Sequence, residues 1–124
     1  IVSAKSKIIP ELQDEKIKIT ITIDEESNLL EYDGHREISS NFLQELEKGQ
    51  AREIESQVIA AVEKSRTLNA DVFGFGEAVH RKYKKEWPVL KARWEEIYPY
   101  IEVVVKVKTH VNEIGEINKA LIKD

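Results

Sequence analysis

The segment DVFGFGEAVHRKYKKEWPVLKARWEEIYPY, residues 71–100, carries seven of the nine aromatic residues in the chain. These residues are Phe73, Phe75, Tyr83, Trp87, Trp94, Tyr98 and Tyr100. Aromatic rings bury more apolar area than most side chains and dominate both protein cores and interfaces. We therefore expect this segment to contain either the centre of the core or the surface that meets a partner.

Two short helices are predicted inside this segment. The first has an apolar stripe at helical spacing, formed by Val72, Phe75, Val79 and Tyr83. The second has Pro88 in its first turn, where a missing N–H does no harm, and it ends before Pro99. Its apolar face is formed by Leu90, Trp94 and Ile97.

Strands are predicted on both sides of these helices. Residues 16–24 alternate isoleucine with polar residues, which indicates a half-buried strand, and residues 101–111 alternate in the same way. Residues 2–12 form a weaker strand candidate because Pro10 is tolerated only at an edge, a bulge or a strand end. Residues 13–15 would close a hairpin. A polar break is predicted at residues 25–28, with the strand continuing at 29–32.

A long amphipathic helix is predicted between the strands and the aromatic segment. It begins at residues 39–41, and its apolar positions recur every three or four residues to about Arg66. Gly49 either ends a first helix or kinks a longer one, and the uninterrupted stripe favours one helix. Asn69 and Asp71 are candidate caps in the connection that follows.

The order strand, strand, helices, strand predicts an α+β domain. We expect an antiparallel sheet, made of the hairpin and the C-terminal strand, with one long and two shorter helices packed on one face. The polar outer side of each strand agrees with a sheet that is covered on one face only. A chain of 124 residues suffices for a single domain over residues 1–124, with residues 117–124 as a frayed tail.

Composition excludes several function classes. The net charge of -4 argues against nucleic acid as the main partner, because phosphate binding needs a basic field. The absence of cysteine excludes thiolate chemistry and cysteine-based zinc sites. No G-x-S-x-G context marks a nucleophile, and the adjacent carboxylates lie on predicted solvent faces, so we expect no catalytic residues, no cofactor and no enzymatic activity.

Two motifs in the aromatic segment have a structural and a functional interpretation. Gly74-x-Gly76 lacks the third glycine and the preceding strand of a dinucleotide site, so close helix packing is the better interpretation. Glu77 and His80 have the i, i+3 spacing of di-iron ligands, but the chain has only one such pair. They remain weak metal candidates, and a local hydrogen bond or solvent exposure is the simpler interpretation.

A basic run surrounds Tyr83 in this acidic chain. It consists of Arg81, Lys82, Lys84 and Lys85. Such runs are usually solvated faces. A partner or an anionic membrane could also be met here, since each charge contributes about 1 kcal/mol close to anionic headgroups.

The aromatic segment, together with the valine-rich strand from Ile101, resembles the C-terminal domain of the C subunits of spore germinant receptors, the Ger(x)C lipoprotein family. The residues that match the pattern are Asp71, Gly74, Gly76, Tyr83, Trp87 and Trp94, and we interpret them as structural. The chain departs from the pattern in having Lys84 where the family has proline, with Pro88 following the tryptophan. The resemblance also implies that the chain is the latter portion of the family's domain.

The resemblance implies a non-catalytic lipoprotein subunit that acts in spore germination through protein–protein contacts. Its partners would be the membrane-spanning A and B subunits of a germinant receptor. It would be held by a lipid anchor, upstream of this chain, at the outer face of the spore inner membrane. The alternative, from the clustered aromatic residues and the Glu77/His80 pair, is a small-ligand or metal-binding module of a cell-surface protein.

Overall fold

A computed structural model describes residues 3–29 and 40–113. The elements in chain order are β1 (Ser3–Gln13), β2 (Lys16–Leu29), α1 (Ser40–Thr67), α2 (Phe75–Lys82), α3 (Trp87–Ala92), α4 (Trp94–Ile97), a 3₁₀ turn (Tyr98–Tyr100) and β3 (Glu102–Glu113). The predicted α+β class is confirmed. Predictions for residues 30–39 and 114–124, including the frayed tail, lie outside the described residues.

The predicted hairpin is present as β1 and β2, which pair antiparallel through a turn at Asp14 and Glu15. Asp14 takes a positive φ of 52°. A short polar side chain tolerates this left-handed conformation better than a branched or bulky one, because it can hydrogen-bond locally. Pro10 lies in β1, which is an edge strand of the sheet, as its missing N–H requires.

The sheet is mixed, and this corrects the prediction of an all-antiparallel sheet. β2 is the central strand, and β3 pairs with it in parallel, with Ile19 opposite Val103 and Ile23 opposite Val107. A parallel neighbour requires a long crossover, which is usually helical. The intervening helices form part of that crossover, so the direction of β3 depends on where they return the chain.

The sequence predicted a break at residues 25–28, but β2 continues through them to Leu29. The parallel pairing with β3 extends along these residues, with Ser27 opposite Val111. Ser27 is buried, and its hydroxyl donates to Gln50 Oε1 at 3.4 Å. Polar residues therefore remain in the strand because a neighbouring strand and α1 supply their partners.

α1 is one continuous helix of 28 residues that passes through Gly49, as the uninterrupted apolar stripe predicted. Its best-buried positions, Val62 and Ser65, lie near its C-terminal end. Lys64 and Arg66 in the last turn complement the helix dipole.

The hydrophobic core lies between one face of the sheet and the helices, which confirms that the helices cover a single face. Its buried members are Ile17, Ile19, Ile21, Val62, Phe75, Val79, Tyr98 and Ile101. In β2 the buried residues are the odd-numbered ones, so the even-numbered residues face away from the helices. The residues of β1 and β3 that pair with them follow the same alternation.

The short helices differ from the prediction in two respects. Val72 precedes α2 and is 72% exposed, so it is not part of the buried stripe. The second predicted helix is divided at Arg93, which has φ −115° and ψ 15° and separates α3 from α4. Pro88 does lie in the first turn of α3, as predicted. The division lets two short helices, rather than one straight helix, present their rings to the core.

Candidate interaction surface

Asp71 holds the start of α2. Its two carboxylate oxygens accept hydrogen bonds from the N–H groups of Phe75 and Gly76, both at 2.8 Å. Gly74, at the cap position, has φ 75° and ψ 34°, a left-handed conformation that glycine adopts without steric cost. The negative charge of Asp71 also lies at the positive end of the helix dipole. These contacts fix the direction in which α2 leaves the loop.

Gly76 is a position of close approach. A Cβ at this residue would lie 3.1 Å from Asp71 Oδ2, 3.1 Å from Trp87 Cη2 and 3.4 Å from Trp94 Cε2. The missing side chain therefore allows α2 to contact both tryptophans. These four residues form the centre of what we call the aromatic hub, defined as Asp71, Gly76 and the rings described next.

The rings of the aromatic hub form a continuous series through the core. Its members in order are Phe73, Phe75, Tyr98, Trp94, Trp87 and His80, with neighbouring ring centroids 5.3–6.1 Å apart. Offset and edge-to-face pairs at such distances contribute about 0.5–1.5 kcal/mol beyond their buried area. Trp87 meets Trp94 edge-on, and its other side stacks on His80. The aromatic hub is therefore used for packing from α2 through to the 3₁₀ turn.

Tyr98 is the most buried polar member of the aromatic hub, and it is 1% exposed. Its hydroxyl lies 2.7 Å from Ser65 Oγ. The Ser65 hydroxyl in turn donates to the carbonyl of Val62 at 2.8 Å. Tyr98 is therefore the donor to Ser65. Burial is the main cause that raises the pKa of Tyr98 above its ordinary value of 10.0. The negative charge of Asp71 adds to this rise in pKa.

α2 is tied to the free edge of β1 by two side chains. Lys82 Nζ donates to the carbonyl of Pro10 at 2.9 Å, and the N–H of Leu12 donates to the Tyr83 hydroxyl at 3.0 Å. Edge strands with unpaired backbone groups invite pairing with other chains, and native proteins cover such edges. No local pattern predicts these contacts, because 71 and 72 residues separate the partners.

α1 covers the free edge of β3 in a similar way, through contacts that the sequence did not predict. Arg66 donates to the carbonyl of Ile101 at one end of the strand. At the other end Glu47 Oε2 accepts the N–H of Val111 at 3.0 Å and lies 3.3 Å from His110 Nδ1. A charged residue at each end of a long helix, spaced to match a strand, is a pattern that only the fold reveals.

The basic run predicted from the sequence is defined here as the basic rim: Arg81, Lys82, Lys84 and Lys85. All four side chains are exposed. Lys82 is held by Pro10 and lies over the Tyr83 ring, with Nζ 5.5 Å from its centroid. Within residues 3–29 and 40–113, the side chains of Arg81, Lys84 and Lys85 form no ion pair or hydrogen bond. Three charges of the basic rim are therefore available to a partner.

The weak metal candidates lie at the border of the aromatic hub. Glu77 and His80 are both exposed on α2, and the His80 ring stacks on Trp87 with its centroid 5.5 Å away. In the part of the chain that the structure describes, no group of three or more metal-ligating side chains is found. No described helix is both long enough and apolar enough to cross a membrane.

Comparison with solved structures finds the same fold in a crystal structure of the GerBC protein. The TM-score is 0.73, and the match covers 90% of this chain and 35% of the GerBC chain at 18% identity. A curated relative, spore germination protein KC of Bacillus subtilis (strain 168), is 31% identical over 71 residues. That match covers 56% of this chain and 17% of the relative, so the chain spans only a fraction of the proteins that it resembles.

The family model described as "Spore germination B3/GerAC like, C-terminal" matches residues 1–115. The match includes every strand and helix that the structure describes, together with the whole aromatic hub. It agrees with the resemblance inferred from the aromatic segment and the valine-rich strand. The chain therefore belongs to the GerAC-like C-terminal family of spore germination proteins.

Proposed function

We propose that this chain is a non-catalytic domain of a germinant receptor C subunit, which acts in spore germination by binding other proteins of the receptor. The family match over residues 1–115 is the observation that carries this proposal. The aromatic hub is used for packing, which supports a binding role rather than a catalytic one. Its one deeply buried titratable group, the hydroxyl of Tyr98, is hydrogen-bonded to Ser65.

The proposed partners are the membrane-spanning A and B subunits of the receptor. The proposed location is the outer face of the spore inner membrane, with a lipid anchor upstream of this chain. These assignments follow the family, and the geometry of the domain is compatible with them. A domain that is rigid inside and charged outside can hold a partner without changing its own conformation.

The basic rim is the proposed contact surface for a receptor subunit. Lys82 and Tyr83 fix the end of α2 against β1, so Arg81, Lys84 and Lys85 extend from a rigid support. Exposed charges at an interface mainly accelerate association and select partners. An acidic surface on a receptor subunit would meet them without disturbing the aromatic hub.

The test replaces Arg81, Lys84 and Lys85 with glutamine in the full-length protein that carries this chain. If the basic rim binds a receptor subunit, spores with this variant germinate more slowly with nutrients. They also retain less of the other subunits when the receptor is purified under mild conditions. Germination triggered without nutrients should be unaffected, since the defect lies in the receptor.

The matched control replaces Lys48, Lys64 and Lys91, which are exposed on α1 and α3, with glutamine. It removes the same charge from other surfaces and should germinate like the parent. A second variant that lacks the whole domain tests the broader proposal. Normal nutrient germination of that deletion variant would refute a role of the domain in the receptor.

A further inference from the structure

Four lysines from two distant parts of the sequence meet on the open face of the sheet. Lys7 and Lys106 both pair with Thr22 of the central strand. Lys5 and Lys108 both pair with Asp24, two residues further along that strand. Residues that are directly opposed in a sheet point to the same face. Even-numbered residues of β2 face away from the helices. The lysine quartet, defined as Lys5, Lys7, Lys106 and Lys108, therefore lies on the face opposite the helices.

The four lysines of the quartet lie close together on paired strands, and their side chains bind none of the residues that the structure describes. Strand geometry separates its members by about 7 Å along a strand and about 10 Å across the sheet. All four side chains are exposed, and none forms an ion pair or hydrogen bond with any residue that the structure describes. Asp24 is the single carboxylate among them. Three net positive charges remain on this patch of a chain whose overall charge is -4.

The surroundings of the lysine quartet define its extent. The next row of the sheet is uncharged and consists of Ile9, Thr20 and Val104, of which Ile9 is 38% exposed. The row beyond it has Lys18 between Glu11 and Glu102, which leaves a net negative charge. At the opposite end the face carries Glu26, opposite Ser3 and His110. The positive charge is therefore centred on the lysine quartet and borders a row of uncharged side chains.

The lysine quartet continues around the edge of β1 to the basic rim. Lys7 lines a groove of about 520 Å³ together with Arg81 and Lys82 from α2. The groove also has Ile8 and Ala78 in its lining. Two basic surfaces that are separate in sequence are thus continuous in the fold.

We propose that the open face of the sheet lies against an anionic lipid surface, with the lysine quartet at the headgroups. Lysine provides a compact, hydrated point charge, whereas arginine provides the planar fork that suits bidentate recognition of one carboxylate or phosphate. A sheet face with four lysines and no arginine is suited to attracting many anionic headgroups rather than to recognising one carboxylate or phosphate. The exposed Ile9 places apolar area beside the charges, as at other membrane-facing surfaces.

This inference goes beyond the proposed function, and an experiment can contradict either one without contradicting the other. Vesicle binding can be absent while germination still requires the domain, and germination can be independent of the domain while the sheet face binds lipid. The test mixes the chain with vesicles of phosphatidylcholine alone and with vesicles containing 30% phosphatidylglycerol, and it measures bound protein by sedimentation.

The expected preference for the anionic vesicles is about 100-fold at low salt, since each net charge contributes about 1 kcal/mol and 1.4 kcal/mol is tenfold. The double variant Lys7→Gln/Lys106→Gln should bind anionic vesicles about 30-fold less tightly. The matched control Lys64→Gln/Lys91→Gln loses the same charge from the helical side and should bind like the parent. Binding should weaken as salt is added, because the charges are exposed.

Three outcomes would overturn the inference. The first is equal binding to both vesicle types, and the second is an equal loss of binding in the two double variants. The third is no binding of the parent to either vesicle together with binding to polyglutamate that requires Lys7 and Lys106. That result would assign the surface to an acidic protein instead. Circular dichroism will check that each variant is folded. We expect that it is, because the replaced lysines are exposed.

Discussion

Replacing Gly76 with alanine should destabilise the domain, although the same change in a helix is usually favourable. The added Cβ would lie 3.1 Å from both Asp71 Oδ2 and Trp87 Cη2. Neither atom moves easily. Asp71 is held by two N–H groups, and Trp87 lies between His80 and Trp94. The methyl group must therefore displace a hydrogen-bonded cap or a packed ring.

The magnitude follows from two opposing contributions. Overpacking a closely packed site costs about 1–3 kcal/mol. Alanine in place of glycine gains up to about 1 kcal/mol in a helix interior, and less in the first turn, where Gly76 lies. We expect a net loss of about 1–2 kcal/mol in the free energy of unfolding. At this chain length that loss lowers the melting temperature by roughly 4–8 °C.

The chain offers a matched control at Gly49, in the middle of α1. A Cβ there meets no atom within 4 Å, so the same substitution should stabilise the domain by about 0.5–1 kcal/mol. Urea unfolding followed by circular dichroism and tryptophan fluorescence measures both variants against the parent. The reasoning is refuted if Gly76→Ala is as stable as the parent or more stable, while Gly49→Ala behaves as expected.

Three further predictions concern the aromatic hub and its cap. Asp71→Ala should lower the free energy of unfolding by about 0.5–2 kcal/mol through loss of the α2 cap, with Asp71→Asn in between, as urea unfolding will show. Gly74→Ala should cost about 1–2 kcal/mol because its φ is 75°, and Gly74→Asn should cost less; equal costs in urea unfolding would contradict this explanation. The parent should lose stability as pH rises above 10. Because the pKa of Tyr98 is raised in the folded protein, the Tyr98 hydroxyl loses its proton at a lower pH in the unfolded chain than in the folded one. Melting curves at pH 9 to 11 should show a smaller loss for Tyr98→Phe, and equal losses would count against this role of Tyr98.

Local sequence patterns predicted most of the elements correctly. The strict alternation around Ile19 and along the last strand predicted two strands, because period two fits the pleat and no helix. The apolar stripe across Gly49 predicted one long helix. The aromatic and glycine pattern of the segment from Asp71 indicated the family, since close packing of rings against bare backbone restricts which residues fit.

The errors all occurred where a distant neighbour decides the outcome. The polar residues near Ser27 remain in the strand because β3 and α1 supply partners that the local pattern does not contain. The ties from Lys82 and Tyr83 to the edge of β1 join residues more than 70 positions apart, so no local signal indicates them.

The sequence by itself determined the α+β class, the hairpin, the long helix and the family, because periodicity and residue type act over a few positions. Only the tertiary structure decided the parallel direction of β3, which depends on where the crossover returns the chain. The fold also brought Lys5 and Lys7 beside Lys106 and Lys108, about 100 residues away. Strand pairing creates that positive face, because register places side chains together that the sequence keeps apart.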